Sequence, residues 1–388
     1  MNGEKWLSAK AAALEQGAIR AVFDKARKME NVISMGIGEP DMPTPEPICR
    51  ACAEGLAKGF THYTPTAGLG LLREAVSRYG LPEPGLYAPH EIMITIGAMN
   101  ALSLLMLVLL EPGDQVMIQD PQWLNYAAQI EYCGGVAVKL PTEPETGFAL
   151  DAETVRAHYV PGKTKALLIN SPNNPTGHVM TREALEKIAE VCRELDILVL
   201  SDEVYGTLVY DGAEAVSIAT LPGMRERTVV INSLSKAYAM CGWRIGYAAG
   251  PEAIIDRMSK MQENFNSGAN AAAQYAAVYA LEHRELTEQI REAFAQRRRV
   301  ALEGLKNIPG MKLVEPKGAF YLFPDIRAFG LSSKEFCDRL LEEERVVCVP
   351  GSAFGSKGEG FIRMAYTADA VKIREAMERL ARFCEKRI

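Results

Sequence analysis

The sequence predicts an α/β fold: a mainly parallel seven-stranded sheet with helices on both faces, joined to a smaller α+β part. Three observations predict it. Short apolar runs recur between residues 92 and 249, and helical patterns separate several of them. Runs such as Ala166-Leu167-Leu168-Ile169 lack the apolar–polar alternation of a sheet covered on one side. Strands that alternate with helices favour parallel order, and strands covered on both faces read as nearly unbroken apolar runs.

The strands of the main sheet are expected at Ile92–Ile96, Gln115–Ile118, Val136–Leu140, Ala166–Ile169, Ile197–Leu200, Thr228–Ile231 and Ile245–Ala249. Arg182–Leu195 carries a helical pattern between two of them. Residues 1–30 also read as helical, with a glycine at Gly17. Beyond Pro251 the pattern is mostly helical, with long charged helices around Glu282–Lys306 and Val371–Arg387. Short strands are expected there at Met311–Val314, Ala319–Phe323, Val346–Val349 and Phe361–Ala365. A long helix near Asn270–Arg284 would bridge two domains. No internal repeat, low-complexity segment or Gly/Ser linker interrupts the chain.

Composition narrows the function. The 388 residues are 48% hydrophobic and 24% charged, ordinary for a globular protein. The 43 basic and 49 acidic side chains leave a net charge of −6, which offers no general footprint for nucleic acid. The eight cysteines are scattered along a long chain, unlike a disulfide framework. Cys49 and Cys52 have redox or metal spacing, but no second pair completes a zinc set, and they fall on a helical, alanine-rich pattern. No metal site is expected. The start of the chain lacks the pattern of a secretory signal, and Ala101–Leu110 is too short to span a bilayer. No membrane association and a cytoplasmic location are therefore expected.

The chemistry is written at the strand ends, where ligands bind in open parallel sheets. Asn174 follows the run ending at Asn170, Asp202 and Tyr205 follow Ile197–Leu200, and Ser233, Ser235 and Lys236 follow Thr228–Ile231. The strand at Ile92 runs into Gly97-Ala98-Met99-Asn100 and an apolar helix. Free amides at a helix start suit a phosphate, and Ser233, Ser235 and Arg244 add donors. A lysine on a loop is usually solvated. Lys236 instead follows a buried strand, and a desolvated lysine serves as nucleophile or base.

Many motifs in order then define a resemblance. They are Gly36-Ile37-Gly38-Glu39-Pro40-Asp41, Tyr63-Thr64-Pro65-Thr66-Ala67-Gly68, Asp120-Pro121-Gln122-Trp123 and Asn174-Pro175-Thr176-Gly177. Asp202-Glu203-Val204-Tyr205, Ser233-Leu234-Ser235-Lys236, Gly242-Trp243-Arg244-Ile245-Gly246-Tyr247, Val349-Pro350-Gly351 and Ile362-Arg363 complete the set. Over almost its whole length the chain resembles the aspartate aminotransferase superfamily, class I/II aminotransferases of fold type I that use pyridoxal 5'-phosphate.

The resemblance implies a large cofactor domain over 36–280 and a small domain made of 1–35 and 281–388. It implies an aminotransferase that moves an α-amino group from an amino acid to a 2-oxo acid in ping-pong fashion, working as a homodimer with shared sites. Lys236 would condense with the cofactor aldehyde and then serve as general base and acid. Asp202 would hold a proton on the ring nitrogen. Tyr205 and Asn174 would bond the ring oxygen, and Trp123 would stack on the ring. The amides of Ala98 and Met99, with Ser233, Ser235 and Arg244, would hold the phosphate, joined by Tyr63 from the partner. Arg363, Gly38 and Asn174 would receive the substrate carboxylate, with Trp123 beside the substrate.

Two departures stand out. Met99 occupies the place of a basic residue found in some members that act on acidic substrates, which makes an apolar, aromatic or broad donor as good an expectation as aspartate. Cys241 replaces the threonine common before Gly-Trp-Arg. His62 reads as a satisfied or surface histidine, and the run Arg297-Arg298-Arg299 as a solvated helix face. A C–S β-lyase on the same scaffold is the main alternative function. A non-catalytic cofactor-binding regulator is remote, since only about 30 residues precede the resemblance.

Overall fold

The computed structural model describes residues 3–12, 22 and 24–387. Most of the expected N-terminal helix, with Gly17, lies outside the described residues. Twelve strands are formed by the described residues: β1 (Ile33–Ser34), β2 (Ile92–Thr95), β3 (Gln115–Asp120), β4 (Val136–Pro141), β5 (Thr164–Asn170), β6 (Leu198–Asp202), β7 (Thr228–Ser233), β8 (Gly246–Ala249), β9 (Tyr321–Leu322), β10 (Val346–Val347), β11 (Val349–Pro350) and β12 (Ile362–Ala365). All seven strands expected between 92 and 249 are present.

They build one sheet in the order β2-β8-β7-β6-β5-β3-β4, in which β8 alone runs antiparallel to its neighbours. Successive side chains of a strand face opposite sides, and both sides are buried here. Val116 and Ile118 pack with helix Gly97–Leu109 on one face, while Met117 meets helix Arg182–Glu194 on the other. That second helix follows its pattern closely. Leu185, Ile188, Ala189 and Cys192 form the buried stripe, and Thr181 caps the start by accepting from the amide of Ala184. Such a cap contributes about 1 kcal/mol.

Register sets the functional edge. Asn170 of β5 pairs with Asp202 of β6, and Asp202 pairs with Ile231 of β7. The polar residues ending each run are therefore brought level along the carboxyl edge.

A second core gathers helices Glu285–Lys306, Ser333–Glu344 and Ala370–Glu385 around a three-stranded antiparallel sheet, β11-β12-β9. Residues 33–35 join this part, because β1 pairs in parallel with β10, Ile33 opposite Val346, and the Met35 amide bonds the carbonyl of Val347.

Several expectations are corrected. The helix expected near Asn270–Arg284 spans Ala271–Glu282 and stops where His283 leaves helical backbone (φ −116°, ψ 64°). It packs by Ala273, Ala276, Ala277 and Ala280 in the core under β2 and β8. Met311–Val314 forms only an isolated bridge at Lys312, and Ala319 has φ 57°, which confines the next strand to Tyr321–Leu322. The Arg297–Arg299 run is not a solvated face. Arg298 is 3% exposed and bonds Asp211 at 2.7 Å and Glu315 at 2.8 Å, while only Arg299 points into solvent.

Candidate active site

A cavity of about 1010 Å³ opens at the carboxyl edge of β5, β6 and β7. Gly38, Ala98, Met99, Trp123, Asn174, Asp202, Tyr205, Ser233, Ser235, Lys236, Arg244 and Arg363 all line it. Of the residues singled out in the sequence, only Tyr63 stands apart. It is 94% exposed on the surface of its own chain.

Asp202 ends β6, and its carboxylate is buried. Burial pushes its pKa up to about 6, against the pull of Tyr126, whose hydroxyl donates to Oδ2 at 2.6 Å. The amide of Val204 donates to Oδ1 at 3.3 Å, and the Lys236 ammonium adds a further lowering influence. Asn170 donates to the carbonyl of Asp202 at 3.0 Å and accepts the amide of Asn174 at 2.9 Å, which fixes the Asn174 loop on the strand ends.

Lys236 sits in the short helix Leu234–Ala237 that leaves β7. Its Nζ donates to the carbonyl of Gly38 at 2.7 Å and lies 3.7 Å from Sγ of Cys241. Burial raises the Cys241 thiol, so it stands beside the lysine chiefly in neutral form. Tyr205 shares a hydrogen bond of 2.9 Å with the hydroxyl of Tyr321, and burial drives its pKa well upward.

Arg363 lies on β12, and its side chain is 3% exposed. Nη1 donates to Oδ1 of Asn174 at 3.1 Å and Nη2 to the carbonyl of Gly36 at 2.7 Å. Its buried Nε has no partner, and the guanidinium lies between the rings of Tyr321 and Phe354, 4.6 and 4.8 Å from their centroids. A buried guanidinium without a carboxylate is costly, so this fork is built for an anion.

An anion cradle forms where helix Gly97–Leu109 begins against β8. Gly97 has φ +75°, and the first amides of the helix have no acceptor within it. A Cβ on Gly246 would come within 2.6 Å of the amide nitrogen of Ala98, so β8 approaches closely only as glycine. Arg244 lies over this turn and is held by the carbonyl of Cys241 at 2.9 Å. Buried Ser233 and Ser235 complete the polar lining.

The donor set fits pyridoxal phosphate: an amide-and-arginine cradle for a dianion, a buried carboxylate, an amine and a second anion fork. The Gly246 approach supplies a steric reason for the cradle's shape. Three groups of the site carried no signal strong enough to be read from sequence. Tyr126 looks like a core residue of helix Asn125–Tyr132, and Tyr321 like one of a strand. Asn170 is the polar last residue of an apolar run, a position at which strand ends elsewhere in this chain line the cavity.

The family model for aminotransferase class I and II matches residues 30–380. The chain belongs to the class I and II aminotransferases. Aromatic-amino-acid aminotransferase 2 of Thermococcus litoralis is 41% identical, with 98% of this chain and 99% of that relative aligned. An aspartate aminotransferase of Pyrococcus abyssi is 42% identical over 93% of this chain and 94% of its own length. The crystal structure of the aromatic aminotransferase from Pyrococcus horikoshii OT3 superposes with a TM-score of 0.88 at 43% identity, covering 94% of this chain and 99% of that one. As a member of this family the chain is a pyridoxal-phosphate-dependent aminotransferase, acting on amino acids and 2-oxo acids. Among the described residues no helix is long and apolar enough to cross a membrane.

Proposed function

We propose that this aminotransferase works by a ping-pong cycle in which Lys236 is the catalytic base and acid, and that it prefers amino donors with uncharged side chains, aromatic ones included. The convergence of Lys236, Asp202 and Arg363 on one cavity carries the assignment. When bound, pyridoxal phosphate supplies an electron sink for the electron pair left as the substrate Cα–H bond breaks. The chain's own groups do the rest.

Arg363 grips the substrate α-carboxylate through its planar fork, with Asn174 holding the guanidinium at 3.1 Å. Lys236 takes the Cα proton and returns it one position along. Asp202 keeps a proton on the ring nitrogen, and Tyr126 keeps Asp202 anionic by donating to it. Tyr205 and Asn174 meet the ring oxygen, and Trp123 covers the ring. The amides of Ala98 and Met99, with Ser233, Ser235 and Arg244, receive the phosphate.

Met99 supports the donor preference. It lies at the cavity wall beside Leu124 and Asn125, with the amides of Asn125 and Gln129 each 3.6 Å from its sulfur. A thioether there gives a side-chain carboxylate no cation to meet. We further propose that residues 36–280 form the cofactor domain and 1–35 with 281–388 the smaller one. Two chains pair in the cytoplasm so that exposed Tyr63 reaches the neighbouring phosphate.

The test is a donor screen on holoenzyme, following loss of the cofactor's visible absorbance and 2-oxo acid formation with 2-oxoglutarate as acceptor. Aromatic and apolar donors should exceed aspartate by about tenfold in kcat/KM, equivalent to about 1.4 kcal/mol. Lys236→Ala should show no turnover. A tenfold preference for aspartate would sink the specificity, and full activity in Lys236→Ala would sink the mechanism. Ammonia and pyruvate released without an added 2-oxo acid acceptor would point to the lyase instead.

A further inference from the structure

We propose that Arg297 is a positioning residue for transamination, fastening residues 36–41 so that the carbonyls of Gly36 and Gly38 stay against Arg363 and Lys236. The inference rests on the roles assigned above to those two residues.

Residues 36–41 form no helix or strand, yet they touch two of the basic groups of the site, Lys236 and Arg363. Gly36 accepts from Arg363 Nη2 at 2.7 Å, and Gly38 accepts from Lys236 Nζ at 2.7 Å. Without regular structure, the geometry of these carbonyls depends on how the strap is tied down. At its start, the amide of Met35 bonds the carbonyl of Val347 at 2.9 Å. In the middle, Thr367 Oγ1 donates to the carbonyl of Ile37 at 3.0 Å. Beyond the site, Thr44 Oγ1 donates to the carbonyl of Ala239 at 2.7 Å.

Arg297 reinforces one of these ties and adds a further one with a single nitrogen. Its Nη1 donates to Asp41 Oδ1 at 2.6 Å and to the carbonyl of Thr367 at 2.6 Å. It therefore grips the strap directly at Asp41 and also holds the residue whose hydroxyl grips Ile37. The Arg297 side chain is only 12% exposed and lies 5.6 Å from the Phe294 ring centroid, so the clamp is anchored in the core of the C-terminal part. Strap and clamp are 256 positions apart in sequence. Gly38 has no room for a side chain, because a Cβ would run into the hydroxyl of Tyr321. Small displacements of the strap are thus transmitted to the Lys236 carbonyl partner and to the anion fork together. Misplacement of binding groups by a fraction of an ångström is enough to weaken a carboxylate grip.

The experiment compares Asp41→Asn, Arg297→Gln, the double variant and Arg297→Lys as holoenzymes. Both single variants should raise the KM of the amino donor about tenfold, with kcat within about threefold of the parent. The dissociation constant of a non-reacting α-methyl amino acid should rise by the same factor, with melting temperatures close to the parent's. The double variant should be no worse than Arg297→Gln, and Arg297→Lys should recover part of the loss, since a lysine keeps the charge without the planar guanidinium. Unchanged KM and dissociation constants in Asp41→Asn and Arg297→Gln would overturn the proposal. So would parallel losses of kcat and melting temperature without a change in analogue affinity. Because the parent enzyme and Lys236→Ala are run alongside, failure of the underlying catalytic assignment would show separately, as turnover without the lysine.

Discussion

Replacing Tyr126 with phenylalanine isolates one hydrogen bond on the carboxylate at the centre of the site. Asp202 is 3% exposed, so solvent does little to screen the loss. Burial holds its pKa at about 6 in the folded chain, above the 3.8 of a free side chain. The sign follows from linkage: the Asp202 contribution to stability is full below about pH 4 and is lost as pH climbs through about 6. Tyr126 opposes that loss, donating at 2.6 Å to the charged form. A hydrogen bond to a charged group contributes about 1.5–3 kcal/mol, a neutral one about 1 kcal/mol. Tyr126→Phe removes about 0.5–2 kcal/mol more from the charged form than from the neutral one, and should therefore raise the proton affinity of Asp202 about two- to thirtyfold. With an unfolding entropy of about 2.1 cal/mol/K per residue, each kcal/mol moves the melting point of a chain this long by about 1.2 °C. Cofactor-free Tyr126→Phe should melt about 2–4 °C below the parent at pH 8 and about 1 °C below it at pH 4. Scanning calorimetry of both proteins across that range is the assay. A deficit equal at both ends, or larger at pH 4, would refute the view that Tyr126 supports a charged Asp202.

Two further expectations follow from packing. Gly246→Ala would drive a methyl group into the Ala98 amide at 2.6 Å, and should weaken pyridoxal phosphate uptake at least tenfold in an absorbance titration. Gly242→Ala, with nothing within 4 Å of the added carbon, should titrate like the parent. Arg298→Ala removes bonds to Asp211, Glu315 and the carbonyl of Pro316, and should cost about 2–4 kcal/mol by urea unfolding, since its half-exposed acidic partners can rehydrate. Arg299→Ala, on the exposed side of the same helix, should stay within about 0.5 kcal/mol.

What could be read from the chain in advance was whatever a short stretch carries by itself. An apolar run followed at once by Ser233-Leu234-Ser235-Lys236 announces a strand and the chemistry at its end within ten residues. The cradle at Gly97 was visible as strand, glycine and apolar helix. Tyr126 was not, because its neighbours on helix Asn125–Tyr132 give it the pattern of a core residue, and its partner is 76 positions away. The Arg297 to Asp41 pair was missed for the same reason, and charge patterning alone mistook a clamp for a solvated face. The short strands after residue 310 depend on single backbone angles, such as the φ of 57° at Ala319, which side-chain periodicity does not encode.

The edge position of β2 has a consequence for biosynthesis. β2 ends at Thr95, and its sole neighbour in the sheet, β8, begins at Gly246, about 150 residues later. A ribosome must therefore translate most of the sheet before that strand gains its sheet partner, although Ala67 and Arg73, translated earlier, already bond its backbone. On the proposed phosphate site, vitamin B6 capture at the turn after β2 requires Gly246 to close against Ala98. Coenzyme uptake by nascent chains of graded length would accordingly switch on at the end of β8 rather than rise with each strand added.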